Sequence, residues 1–445
     1  MELLVKWIFL MAISLSITLT TFLQTCEATG KDGNEEIKNI IFLIGDGMGV
    51  SVTSGYRYFK DNPATIELES TAFGPYLVGQ QTTYPNDQRH NVTDSAASAT
   101  AMATGVKTYN GAIGISNDHT KLKSVLEKAK EKGKGTGLVA TAQIVHGTPA
   151  AFGAHVVQRK SMSAIADDYY QDLVNGGHKI DVLLGGGSEW FIRKDRNIVE
   201  EFVKDGYSYV TNLNEMNKDE SAQVLGLFAK RGLPKMIDRS TDIPALAEMT
   251  TSAIERLDQN KKGFFLMVEG SQIDWAAHDN DIVGVMSEME DFEKAFKVAI
   301  DFAEKDGHTL VIATADHSTG GFTIGSQGQY NWFSSVIKKV KRTPNYMASV
   351  IIQGAGVKET LTKYIELPLT ENEIRYVETA ARTQKAKNID NAIEEIINNR
   401  SLTGWTTSGH TGEDVNVYAY GPGSERLRGQ IDNTDHAKII FDILR

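Results

Sequence analysis

Five short apolar runs constrain the fold of this 445-residue chain more than any other feature. They are Ile40–Ile44 (IIFLI), Gly137–Ala142 (GLVATA), Asp181–Leu184 (DVLL), Phe264–Val268 (FFLMV) and Thr309–Ala313 (TLVIA). Each is short, bounded by turn residues and mostly apolar, as suits a strand covered on both faces. Helical patterns lie between them: Ser95–Met102, Leu122–Lys132, Pro244–Gln259 with Pro244 in the first turn, and Val283–Lys305. Strands alternating with helices predict an α/β fold with a largely parallel sheet. The segment from about 321 to 400 differs. Thr370-Glu371-Asn372-Glu373 is a capping box that predicts a helix through Arg382, and a second helix is expected over Ile389–Asn398. Because chemistry-bearing segments flank it on both sides, it reads as an insertion. Residues 188–243 read as a peripheral elaboration.

Hydrophobic residues at 41% and charged residues at 23% are ordinary for a soluble globular chain. The net charge of −11 argues against a general binder of nucleic acid, whose phosphates are held mainly by Lys and Arg. A small phosphate can still bind an acidic protein where metal ions reverse the local charge. Residues 1–28 read as an export signal: Lys6 precedes an apolar run, Trp7–Phe22, of about the length of a signal h-region. Two processing routes are open. One is cleavage after Ala28; in the other, Leu23-Gln24-Thr25-Cys26 serves as an imperfect lipobox with Cys26 as lipid carrier. Cys26 is the only cysteine, which leaves no partner for a disulfide within the chain. The expected destination is a periplasm, a cell surface or the medium.

The residues that carry chemistry sit just beyond the apolar runs. Asp46 follows IIFLIG, Glu269 follows FFLMV, and Asp316 and His317 follow TLVIATA. In open α/β sheets, sites form outside the carboxyl ends of the strands, so these distant side chains can converge. Asp274 and His278 share one face if the chain is helical from Gln272, a spacing that suits two ligands of one ion. His410, in TSGHTGED, adds an imidazole. Taken singly, an Asp after a strand is more often a helix cap than a ligand, and His90, His119, His178, His308 and His436 are given no role. Collectively, mixed carboxylate and imidazole suits zinc, and a carboxylate with a hydroxyl suits magnesium. Ser95, in VTDSAASAT, opens a run of small residues that reads as a helix start, where backbone N–H groups and the dipole favour an anion. No Ser-His-Asp arrangement is evident, but a coordinated metal could ionise the hydroxyl.

Six segments, in order over about residues 37–440, resemble the alkaline phosphatase family. They are Gly45-Asp46-Gly47-Met48-Gly49, Thr93-Asp94-Ser95-Ala96-Ala97-Ser98-Ala99-Thr100, His146-Gly147-Thr148-Pro149-Ala150-Ala151, Glu269-Gly270-Ser271-Gln272-Ile273-Asp274 with His278, Thr314-Ala315-Asp316-His317, and Ser408-Gly409-His410-Thr411-Gly412. The resemblance implies a three-layer α/β sandwich, its central, mostly parallel sheet flanked by helices, with residues 37–445 as one catalytic domain. It implies hydrolysis of phosphate monoesters through a phosphoserine on Ser95. Asp274, His278 and His410 would hold one zinc; Asp46, Asp316, His317 and the Ser95 oxygen would surround a second. Thr148 and Glu269, with Asp46 bridging, would serve a third ion, usually magnesium, and Arg159 would clamp phosphate through its planar fork. His146 stands where many bacterial members have Asp and Trp275 where they have Lys. His146 is a poor ligand for hard Mg²⁺ and is expected to reach the third ion through water, while Trp275 removes a cation near the phosphate. The family is usually homodimeric. Two relatives of the same superfamily compete with this reading. A sulfatase would need a Cys/Ser-x-Pro-x-Arg setting, which Ser95 lacks, and diesterases commonly use Thr and lack the third site. A noncatalytic metal- or phosphate-binding protein is a third alternative, against which the intact Ser95 argues.

Overall fold

The structure is a computed structural model that describes residues 36–62 and 64–445; Cys26 and Ala28 lie outside them. The five apolar runs become five strands of one ten-stranded sheet. In chain order its strands are β1 (Asn39–Gly45), β2 (Leu77–Thr82), β3 (Gly135–Gln143), β4 (Val182–Gly186), β5 (Ser208–Val210), β6 (Val224–Leu227), β7 (Phe264–Gly270), β8 (Thr309–Thr314), β9 (Val415–Tyr420) and β10 (Gly429–Asp432). Across the sheet the order is β10-β2-β9-β8-β1-β7-β3-β4-β6-β5. Every pairing from β8 to β5 is parallel; only β9 runs against its neighbours, being antiparallel to both β8 and β2.

Alternation along each central strand builds two cores. Ile41 and Leu43 of β1 join Leu266 and Val268 of β7 and Val311 and Ala313 of β8 on one face. Ile40, Phe42 and Ile44 join Phe265, Met267, Leu310 and Ile312 on the other. This is the period of two expected of a strand, and it explains why both sets must be apolar. Phe42 is fully buried, with the Phe152 ring 6.0 Å away. Phe42→Ala would cost about 3–5 kcal/mol.

Helices cover both faces. Among them are α1 (Val50–Lys60), α2 (Ser95–Thr104), α3 (Val125–Glu131), α4 (Gly147–Gly153), α5 (Leu246–Leu257), α6 (Gln272–His278), α7 (Ile282–Asp306) and α8 (Thr434–Ile443). α5, α6 and α7 pack on the first core and α2, α3, α4 and α8 on the second, which gives three layers. Local chemistry sets their ends. Asp281 caps α7 by accepting from the N–H groups of Val283 and Gly284, and Gly307, at φ 73°, stops it. α3 begins at Val125 rather than Leu122, because Ser124 and Glu127 form a reciprocal capping box. Likewise α5 starts at Leu246, with Glu248 accepting from the Ala245 N–H, so Pro244 precedes the helix rather than occupying its first turn.

Within the 321–400 segment lie the helices Pro344–Ile352, Val357–Tyr364, Glu371–Ala381 and Ala386–Ser401. The Thr370–Glu373 capping box is formed, and Arg382 is the C-cap. Met347, Val377, Ile389 and Ile393 join the same apolar cluster as α7, so these helices share the main core. Residues 188–243 supply the outer edge of the sheet, β6 and β5. Among the described residues no helix is long and apolar enough to cross a membrane.

Candidate active site

The site is assembled at the carboxyl ends of the parallel strands. Asp46 is the first residue beyond β1, Glu269 the penultimate residue of β7, and Asp316 and His317 lie two and three residues beyond β8. The turn after β3 leads into α4, with His146 as its N-cap and Thr148 in its first turn. α6 carries Asp274 and His278 one turn apart. Ser95 is the first residue of α2, capped by Asp94, which accepts from Ala97 N–H at 3.0 Å. His410 comes from a two-residue ribbon, His410–Thr411, antiparallel to Ser318–Thr319.

These positions bring the predicted ligands together. His278 Nε2 lies 3.1 Å from His410 Nε2 and 3.3 Å from Asp274 Oδ2, while His410 Nε2 is 3.6 Å from Asp274 Oδ1. The other ring nitrogen of each histidine is directed by a backbone carbonyl: Nδ1 of His278 donates to Ser408 O at 2.6 Å, and Nδ1 of His410 donates to Thr93 O at 2.8 Å. Both rings therefore turn Nε2 toward Asp274, the arrangement that ligating imidazoles need. A second group comprises Asp46, Asp316 and His317. There His317 Nε2 lies 3.2 Å from Asp316 Oδ2, 3.6 Å from Asp46 Oδ1 and 3.2 Å from Ser95 Oγ. His317 and His410 stack at 3.6 Å between centroids, so the two groups abut. In a third group, ligand atoms of Asp46, His146 and Glu269 fall within 4.8 Å of one another, and Asp46 is common to it and the second.

The donors fit cations. Both oxygens of Asp46, both of Glu269, Thr148 Oγ1 and Asp316 Oδ2 are buried with no hydrogen-bond partner among the described residues. Buried polar atoms left this way each cost about 1–3 kcal/mol, and so many at one place call for a ligand. The electrostatics agree. Burial, then the neighbouring Asp316 and Asp274 carboxylates, drives the Asp46 carboxyl well above its ordinary range. Burial pushes Glu269 and Asp316 up to about 7. At Asp274 burial also acts upward, but the His278 hydrogen bond and the surrounding imidazoles outweigh it and hold the carboxyl low. That hydrogen bond in turn raises His278 to about 9, whereas burial lowers His317 and His410. Oxygen and imidazole donors, mixed in two groups and oxygen-rich in the third, match borderline and hard divalent ions respectively.

Arg159 reaches the same place. Its Nη1 donates to Asp94 Oδ2 at 2.9 Å and its Nη2 to His146 Nε2 at 3.1 Å. Asp94 thus does more than cap α2: it aims the guanidinium at the helix start beside Ser95. Thr319, which carried no sequence signal, donates to Asp274 Oδ1. Trp275 meets the His146 ring edge to face at 5.5 Å. His155 belongs to a separate group with Glu127 and Asp172.

Comparison with known proteins converges on the same chemistry. A family model described as Alkaline phosphatase matches residues 37–445. The chain is 64% identical over 419 residues to Alkaline phosphatase 3 of Bacillus subtilis, spanning 93% of this chain and 91% of that one. Among solved structures, a cold-active alkaline phosphatase from the psychrophile Shewanella sp. superposes with a TM-score of 0.87 at 41% identity, over 92% of this chain and 100% of that one. The alkaline phosphatase of the Antarctic bacterium TAB5 superposes with a TM-score of 0.68 at 29% identity, over 92% and 98% of the two chains. One of its histidine-to-aspartate variants was solved with Mg bound in the M3 site. With the strand-end cluster and these relatives in agreement, the chain belongs to the alkaline phosphatase family, the metal-dependent hydrolases of phosphate monoesters.

Proposed function

We propose that Ser95 is the nucleophile and that three ions serve it: one zinc held by Asp274, His278 and His410, a second by Asp46, Asp316 and His317, and a magnesium by Asp46, Glu269 and Thr148. The observation that carries this reading is the set of partnerless buried donor atoms gathered beside Ser95. When bound, the ions supply positive charge that ionises the serine hydroxyl and neutralises the phosphoryl oxygens. The chain's own residues do the rest. Arg159, aimed by Asp94, offers its two donors to two phosphate oxygens. Ser95 Oγ attacks phosphorus; the Oγ–P bond forms as the P–O bond to the alcohol breaks, giving phosphoserine and free alcohol. Water then forms the new P–O bond, the Oγ–P bond breaks, and phosphate leaves with Ser95 restored. His146 accepts from Arg159 through Nε2, so a neutral ring keeps its proton on Nδ1. Such a ring is a donor rather than a ligand, which supports a water between His146 and the third ion.

Residues 37–445 act as one catalytic domain, exported by cleavage after Ala28 or anchored through a lipid on Cys26, and working as a homodimer on small phosphate monoesters. The apolar run Trp7–Phe22 supports export. Mass spectrometry of the mature N-terminus and sedimentation test these points. The central test uses radiolabelled phosphate. Acid-quenched wild type should retain label on Ser95; Ser95→Ala should retain none while keeping its zinc and magnesium. Label on another residue, or a diester hydrolysed faster than a monoester, would overturn the reading.

A further inference from the structure

The ribbon that presents His410 also presents Thr319, its partner residue in the antiparallel register. Thr319 is fully buried. Its hydroxyl oxygen lies 2.5 Å from Asp274 Oδ1 and 3.3 Å from His317 Nδ1. A threonine hydroxyl has one proton to give, and an ionised carboxylate can only accept. The proton therefore goes to Asp274, and the contact with His317 requires Nδ1–H to donate to the threonine oxygen. In neutral His317 this leaves Nε2 bare, and Nε2 is the atom facing Ser95 Oγ, Asp316 Oδ2 and Asp46 Oδ1. The approach depends on Gly47. A Cβ there would stand 2.8 Å from Thr319 Oγ1 and 2.9 Å from Asp274 Cα, and its φ of +71° disfavours any side chain.

We infer that Thr319 is a positioning residue that ties the two ligand groups together: it orients Asp274 for one ion and fixes the His317 tautomer for the other. This rests on the two-ion reading above. Groups that orient a metal's ligands typically contribute about 10–100-fold in affinity, and Thr319 touches ligands of both ions.

The test is zinc titration of stripped enzyme against a chelating dye, comparing wild type with Thr319→Val, which keeps the shape and loses the hydroxyl, and Thr319→Ser, which keeps the hydroxyl. Circular dichroism of the metal-free proteins checks folding, and Thr319→Ala replaces the valine variant in the same titration if that one does not fold. The expected result is weakening of both binding steps by about 10–100-fold in Thr319→Val and near-wild-type binding in Thr319→Ser. In ¹⁵N spectra of the metal-free protein, His317 should be a single Nδ1–H tautomer in wild type and a mixture in the valine variant. Tight binding by Thr319→Val, weakening of only one step, or a serine variant as weak as the valine variant would each overturn the inference. Should wild type itself take fewer than two zinc ions, the two-ion reading fails first, on the wild-type count alone, and the coupling falls with it.

Discussion

Two gatherings of carboxylate and imidazole among the described residues differ in what neutralises them. Beside α3, Glu127, His155 and Asp172 surround a lysine: Lys179 Nζ, fully buried, lies 2.9 Å from Asp172 Oδ2 and 3.3 Å from Glu127 Oε1. His155 Nε2 is 2.8 Å from that same Glu127 oxygen. Burial acts to raise the Glu127 carboxyl, but the His155 hydrogen bond and the Lys179 charge outweigh it and bring it down to about 2. At the strand-end rim Asp274 has such a partner in His278, which holds it low, but Asp46, Glu269 and Asp316 are driven upward instead. Both places meet the donor-spacing requirement for a metal. Residue type and spacing do not separate the two places; the buried donor atoms left without a partner at the rim do.

The largest effects expected from this contrast have opposite signs in the two places. Asp46→Asn removes a carboxylate common to two ligand groups and should lower kcat/KM for a monoester by roughly 10³-fold or more, the order seen when one member of a concerted catalytic unit is lost. It should also raise the melting temperature of the metal-free protein, because one of several mutually repelling carboxylates is gone. Lys179→Met should do the reverse. It leaves the buried Glu127 and the half-buried Asp172 without their cation and costs about 3 kcal/mol of stability, while zinc content and turnover per folded molecule stay at wild-type values. Denaturant unfolding, metal analysis and steady-state assay on the two variants decide the matter; zinc loss in Lys179→Met would break the distinction.

A smaller effect separates the two gatherings by pH. Glu269 and Asp316, at about 7 when folded, lie above their ordinary values of 4.5 and 3.8. The folded metal-free protein therefore binds more protons than the unfolded chain between about pH 4 and 7, and its stability falls as pH rises through that window. Glu127 has the opposite sign: lowered from 4.5 to about 2, it contributes stability that is present above about pH 4.5 and lost toward pH 2. Chelator-treated protein should thus be most stable near pH 4 and lose on the order of 2–5 kcal/mol between pH 5 and pH 8. Zinc and magnesium should remove the rim's share of that loss and leave the part due to Asp281, Glu288 and Glu394, which burial also raises. Equal stability of the chelated protein at pH 5 and pH 8 would contradict it.

How much of this was legible in the sequence follows the same physics. β1, β3, β4, β7 and β8 announce themselves because strands covered on both faces read as near-continuous apolar runs. β2 (LVGQQT), β10 (GQID) and β5 (SYV) do not, since they lie at or near the sheet edges, where burial is incomplete and polar residues fit. β9 alternates (VNVYAY) and pairs antiparallel, a pattern outside the parallel reading. The convergence of Asp46, Asp316 and His317 was legible because strand ends gather side chains at one rim. Arg159 was not, apart from the family resemblance: a loop holds it, with its own N–H bonded to Gly111 O and its guanidinium steered by Asp94. Thr319 was beyond reach, because a two-residue ribbon pairing positions 318–319 with 410–411 leaves no periodicity to detect.

The rim itself can be sharpened with one substitution. Trp275 stands partly exposed beside the site, its ring at 82° to His146 and pressed against Gly232, where a Cβ would meet the indole at 2.5 Å. It supplies bulk where a lysine would supply charge. A unit charge 4 Å from a phosphate charge is worth about 4 kcal/mol at an effective dielectric of 20, and much of that is lost to water at a partly exposed position. Trp275→Lys should therefore lower the inhibition constant for inorganic phosphate by about tenfold, equivalent to about 1.4 kcal/mol, and lower kcat wherever release of phosphate limits turnover. Zinc content should not change, because no ligand is touched. An unchanged inhibition constant would mean that charge at this edge of the rim does not reach the phosphate, and that the ions and Arg159 alone set how tightly product is held.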